Sequence, residues 1–236
     1  LFTVKMIDLV SQPYKCSHCK KSFMQEKTLV AHMCERKRRA LQRDEKRVQA
    51  GYMAFNRWWQ LAQGYTKQKT YDEFCDTAYY NAFVKFGSFL NNVSPIYPEK
   101  FVDYVIKSGV KLDHWCRDEL YDQYLIEMLK IEPVESAVQR SFQTMMEWAD
   151  SHSANFVHYF NYVSLNKAVH DIRNGNISLW VILNTTSGKE MVQKMSDEQL
   201  DIIAPTFDVS FWLRKFKEVP ADVALVKEIC QEVGIK

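Results

Sequence analysis

Glycine and proline are scarce in this chain, with 7 and 6 among 236 residues, while Phe, Tyr and Trp make up 14%. Tight hairpins need positions that tolerate positive φ, and glycine supplies most of them. A chain that lacks such residues yet carries many large side chains has little means of turning strands and ample material for packing helices. The expected fold class is therefore all-α. Apolar and charged residues, at 47% and 25%, are in ordinary globular proportion, which excludes collagen-like and wholesale disordered chains. No apolar run approaches the ~20 residues that span a bilayer, so no membrane is expected as a partner.

Helix signals recur along the chain. From Gln25 to about Gln63 there is no proline and one interior glycine, Gly51, before Gly64 offers a stop. Thr70-Tyr71-Asp72-Glu73 is a capping box that predicts a helix to about Asn91, with Phe74, Ala78, Ala82, Phe86 and Phe89 at helical spacing. Pro98 suits the first turn of a helix through Lys107, Asp113 predicts another to about Lys130, and Pro133 one to about Ala149. Segments Phe156–Val163 and Leu165–Arg173 follow, and Ile177–Leu183 reads as a strand or a buried helical turn. Ser196 opens a second capping box, Asp208 caps a helix to Glu218, and Pro220 starts the last one before Gly234. The polar text around Gly64–Lys69 marks the expected limit of an all-α body over residues 65–236.

Charge is unevenly spread. Residues 1–50 hold twelve Lys/Arg against five Asp/Glu, a balance of +7, so the net +2 leaves −5 for the rest. A basic front on a mildly acidic body suits a polyanion or an acidic protein surface.

Three of the six cysteines, Cys16, Cys19 and Cys34, crowd into nineteen residues, while Cys75, Cys116 and Cys230 stand alone in helical text as small buried hydrophobes. No secretory signal is visible in the sequence and the pattern is not a dense disulfide framework, which predicts a reducing, intracellular setting. Tyr14 stands two residues before Cys16, Cys16-x2-Cys19 forms a knuckle, and Phe23, Leu29 and His32 follow, with twelve residues between Cys19 and His32. This segment resembles a C2H2-type zinc finger. The resemblance implies a ββα element over residues 1–34 that binds Zn2+, with a helix starting near Gln25 to bring His32 round. The family's fourth ligand stands three to five residues after the first histidine, whereas here the next candidate is Cys34, only two residues on. Two positions apart on an α-helix point roughly 200° away from each other, so Cys34 joins only if the helix breaks after His32. His18, a three-ligand site closed by water or a partner, and a short hairpin with free thiols are the alternatives.

Residues 35–64 read as a long basic amphipathic helix. At about 100° per residue, Arg36, Arg39, Arg43, Lys46 and Arg47 fall on one face, opposite Leu41, Val48, Tyr52, Phe55 and Trp59. Such a stripe is spaced for successive phosphates, and Lys20, Lys21, Lys27 and Lys37 add charge beside it. The expected partner is nucleic acid, DNA ahead of RNA, held largely without sequence readout because one finger alone gains mostly backbone affinity. The alternative partner is an acidic protein surface, and the third reading is an enzyme acting on nucleic acid.

Evidence of catalysis is slight. Thr186-Ser187-Gly188-Lys189 lacks the spacing of a phosphate loop and reads as a turn before a helix. Glu147, Asp150, His152, His158, His170 and Asp171 form the only dense set of titratable groups. Aromatics at helical spacing, such as Tyr79, Tyr80, Phe83, Phe86 and Phe89, read as core before stacking surface. The tone of the body, a Cys/His knuckle before Glu35-Arg36-Lys37-Arg38-Arg39 and aromatic helices, resembles uncharacterised proteins of large tailed bacteriophages, which implies host cytoplasm as the location.

Overall fold

The structure is a computed structural model, and it describes residues 14–236. The opening thirteen residues of the expected finger region, 1–34, lie outside the described part.

Chain contacts divide the protein into two compact units, one holding residues up to 94 and 98–116, the other 95–97 and 117–236. In the first, β1 (Tyr14–Lys15) and β2 (Ser22–Phe23) pair antiparallel, with Tyr14 opposite Phe23. They lead into α1 (Glu26–Ala31), α2 (Glu35–Leu41), α3 (Lys46–Gln63), α4 (Tyr71–Asp76), α5 (Tyr80–Val93) and α6 (Pro98–Lys107). A 3-10 turn, Leu112–His114, closes the unit. The expected domain limit near Gly64–Lys69 falls within this unit, between helices that pack on it together.

The second unit contains α7 (Asp118–Ile131), α8 (Val134–His152), a 3-10 turn at Phe156–His158, α9 (Tyr159–Tyr162) and α10 (Leu165–Arg173). It continues with α11 (Leu179–Asn184), α12 (Thr186–Gln193), α13 (Asp197–Ile203), α14 (Val209–Glu218) and α15 (Pro220–Glu232). The fold is all-α with a small N-terminal ββα element.

The first unit is organised by α3 against α5. Glycine brings the backbones together: a Cβ on Gly87 would come 2.6 Å from the Gly51 nitrogen, and one on Gly51 2.5 Å from the Phe83 carbonyl. Around this crossing Phe55, Phe74, Phe83, Phe86, Phe101 and Trp115 are buried. Phe55 and Phe83 meet edge to face at 5.4 Å, and Phe83 meets Trp115 likewise at 5.7 Å.

The second unit buries Trp180 and Trp212 edge to face at 5.8 Å among Met145, Tyr159, Ile172 and Ile177. Its interior also contains the pair of Glu132 and Arg140, with two nitrogen–oxygen distances of 2.5 and 2.7 Å, closed by the Tyr97 hydroxyl and the Gly175 carbonyl. Both Glu132 oxygens accept from Arg140, and one also accepts from Tyr97, which helps make a buried charge pair tolerable.

Several expected helices are divided. The run from 25 to 63 becomes α1, α2 and α3, with breaks at His32–Cys34 and at Gln42–Glu45. At the second break the Gln49 side chain donates to the Arg43 carbonyl at 2.5 Å, and Glu45 takes the N-cap position of α3, where an acid favours the helix start. The expected continuous basic helix over 35–64 is thus two helices, α2 and α3. The helix predicted from Thr70 to Asn91 breaks at Thr77, whose backbone is extended and whose hydroxyl accepts from the Tyr79 amide. Asp113 lies in the 3-10 turn, and the following helix starts at Asp118. Ile177–Leu183 resolves as helix α11. Thr186–Lys189 is helical rather than a turn, because Thr185 caps α12 by accepting from the Gly188 amide.

Candidate metal centre

The break after α1 carries the chemistry. Helix α1 ends at Ala31, and His32 adopts extended backbone with ψ of 121°. Cys34 then serves as N-cap of α2, its sulfur accepting from the Lys37 amide at 3.4 Å. This detour removes the angular conflict that two helical positions would impose and swings the Cys34 sulfur toward the knuckle.

The sulfurs of Cys16, Cys19 and Cys34 and a ring nitrogen of His32 all lie within 4.8 Å of one another. The Cys16 and Cys34 sulfurs are 3.9 Å apart, and the Cys19 sulfur is 3.2 Å from His32 Nε2. A tetrahedral zinc with bonds near 2.3 Å to sulfur and 2.0–2.1 Å to nitrogen would have donor–donor edges of roughly 3.5–3.8 Å. The donor set and its spacing fit a zinc ion, and the sulfur separation is far beyond the ~2.05 Å of a disulfide. The set is Cys3His, and His18 is not part of it.

The supporting shell is built from the same short segment. Phe23 packs its ring 4.7 Å from that of His32. Cys16 is buried, and the Cys19 amide pointing at its sulfur pulls the thiol down to about 7. Backbone donors to thiolate sulfur are the usual means of orienting such ligands. Lys20 sits at φ of 62° in the knuckle turn, the left-handed region that a residue other than glycine adopts only under local constraint.

The cations expected to form a stripe have different surroundings. Arg36 pairs with Asp76 and donates to the His18 carbonyl at 2.9 Å, bridging the knuckle to α4. Arg39 pairs with Glu35, donates to the Cys75 carbonyl and lies 4.3 Å over the Tyr80 ring. Arg47 pairs with Glu45. Lys20 and Lys37 donate to the Ser17 and His32 carbonyls, Lys21 faces the Phe23 ring, and Arg43 faces Tyr71. Lys27 and Lys46 are exposed. Sequence periodicity could not reveal the bridging role of Arg36, because its carboxylate partner lies forty positions away.

The titratable residues of the second unit are engaged separately. His152 stacks on Trp148 at 5.0 Å, His158 meets Tyr162 edge to face, and His170 contacts Asn174. Asp171 is buried, accepting from the Tyr159 hydroxyl at 2.6 Å and from Lys167 at 2.5 Å. Among the described residues, the Cys3His set is the one group arranged to hold a metal.

No protein-family model, curated protein or solved structure matches the chain.

Proposed function

We propose that the protein is a non-enzymatic nucleic-acid-binding protein in which a zinc-clamped knuckle displays lysines to the phosphate backbone. The observation that carries this reading is a charge surplus that internal pairing leaves in place. Residues 14–47 hold eleven cations against four carboxylates. Of those eleven, Lys15, Lys20, Lys21, Lys27, Lys37, Arg43 and Lys46 have no carboxylate partner among the described residues. The contact set therefore moves from the arginine face of α2 to the lysines of the knuckle and to Arg43 and Lys46. Lysine acts on phosphate as a point charge, which gives affinity with little sequence readout. A site of three thiolates belongs in a reducing compartment, in keeping with an intracellular setting.

A salt series on the zinc-loaded protein tests this, with duplex DNA, single-stranded DNA and RNA followed by fluorescence anisotropy. About five phosphate contacts give a log–log slope of roughly −4 to −5 on a duplex. Changing Lys15, Lys20, Lys21 and Lys27 together to Glu abolishes the binding if the reading is right. Affinity that ignores salt, or survives this change, refutes it.

The second reading, an assembly factor that clasps an acidic protein surface, draws on one observation. Met24 and Leu41 are 80% and 69% exposed, and Val30 and Met33 of the same segment are exposed too. Exposed apolar side chains within a basic segment suit an amphipathic acidic partner better than bare phosphate.

A further inference from the structure

The loop between α3 and α4 builds a second surface that the zinc centre does not use. Trp58 and Trp59 are consecutive near the end of α3, with ring centroids 6.2 Å apart. Tyr65 stacks on Trp59 at 4.9 Å and 11°, and Tyr79 meets Trp58 at 5.2 Å and 61°. Both tyrosines nonetheless remain open to solvent, Tyr65 by 55% and Tyr79 by 48%. One face of the Tyr65 ring lies on Trp59, and among the described residues no ring is stacked on the other face. A parallel pair of rings with an open outer face is the arrangement that a third flat ring extends.

Two features of the loop define that ring further. Lys67 is exposed, and Lys69 places its ammonium 4.8 Å over Trp59 while pairing with Glu73. Glu73 neutralises Lys69, so Lys67 is the cation near the shelf with no carboxylate partner among the described residues, and it suits a planar ligand carrying negative charge on its linker. On the neighbouring side, Gln60 and Gln68 line a cavity of about 520 Å³ whose far wall holds Arg57 paired with Asp103. Side-chain amides offer a donor and an acceptor together, matching the edges of heterocyclic bases.

We propose that this surface binds unpaired bases of single-stranded nucleic acid, with Tyr65 and Tyr79 as stacking platforms. The inference rests on the nucleic-acid reading above and specifies its ligand. In a duplex the base faces are occupied by neighbours, so only an unpaired strand can use the shelf.

The test uses the full-length zinc-loaded protein, with tryptophan fluorescence and anisotropy as readouts. The probes are an oligothymidylate, a duplex of equal length and inorganic polyphosphate. The expected result is quenching by the oligothymidylate and tighter binding of it than of the duplex. Tyr65→Ala with Tyr79→Ala weakens oligothymidylate binding about 10- to 100-fold, while Tyr65→Phe retains it. Polyphosphate, which has no bases, binds the Ala variant as it binds the parent. If the Ala variant, with an unchanged melting profile, binds the oligothymidylate as tightly as the parent, the stacking proposal is overturned and the lysine reading stands. If neither nucleic acid binds the parent protein, both fall.

Discussion

Arg36 and Asp76 form an ion pair that joins α2 to α4, and the same guanidinium donates to the His18 carbonyl inside the metal knuckle. Arg36 is thus a strut between the knuckle and the helices beneath it. Both side chains are more than two-fifths exposed, so solvent screens the pair and it contributes little to global stability. Replacing Arg36 with Met should leave the urea midpoint nearly unchanged and nucleic-acid affinity within about twofold. Amide exchange across Cys16–Phe23 should nevertheless accelerate. A tenfold loss of affinity would return Arg36 to the set of phosphate contacts.

Metal removal provides the second prediction. The purified protein should contain one zinc per chain, measured by atomic emission, at the four ligands brought together. Chelation should increase exchange and proteolysis within residues 14–41 while the helicity of the second unit persists. Metal binding and local folding are one event in elements too small to have a core. Full protection of that segment after chelation, with the metal verified absent, would contradict a structural role for the ion.

Gly87 provides the third. An added methyl would press on the Arg47 carbonyl and the Gly51 amide, both backbone groups unable to rotate away. Gly87→Ala should therefore destabilise the first unit by about 1–3 kcal/mol or more, read from denaturant unfolding. A neutral outcome would mean that α3 and α5 separate more easily than their packing indicates.

Acid provides the fourth. Glu73 accepts from Lys69 and from the amide and hydroxyl of Thr70, which hold its carboxyl down to about 2, below its ordinary value of 4.5. A depressed folded value means that the contribution is complete above the ordinary value and fades as pH falls toward 2. The stability gap between the parent and Glu73→Gln should be flat above about pH 5 and close steadily below it. A gap that widens in acid would contradict the capping geometry.

The fifth concerns the interior. Glu132 is buried against Arg140, so Glu132→Gln leaves a guanidinium with its counter-charge removed. A loss of about 3–5 kcal/mol is expected in urea unfolding.

Local chemistry was legible in the chain, and long-range geometry was not. The capping boxes at Thr70 and Ser196 form as their spacing implies, because both partners lie within four residues. The knuckle, the helix start at Gln25 and the convergence of Cys16, Cys19, His32 and Cys34 follow from short-range pattern in the same way. The basic stripe failed as a continuous face because α2 is held to α4 by residues 72–76, which no helical wheel contains. Helical spacing predicts Tyr79 in the core, yet the break at Thr77 leaves it half exposed beside Trp58. Breaks at residues without proline or glycine leave little trace in composition.

Cys34 faces two ways at once: its sulfur approaches the knuckle donors while it receives the amide that starts α2. Ion capture and the seeding of that helix therefore share one atom, and α2 in turn roofs Tyr71 and Tyr80 through Arg39. An ion held by these four donors would accordingly brace more than the knuckle: its loss would loosen α2 and uncover the rings of Tyr71 and Tyr80.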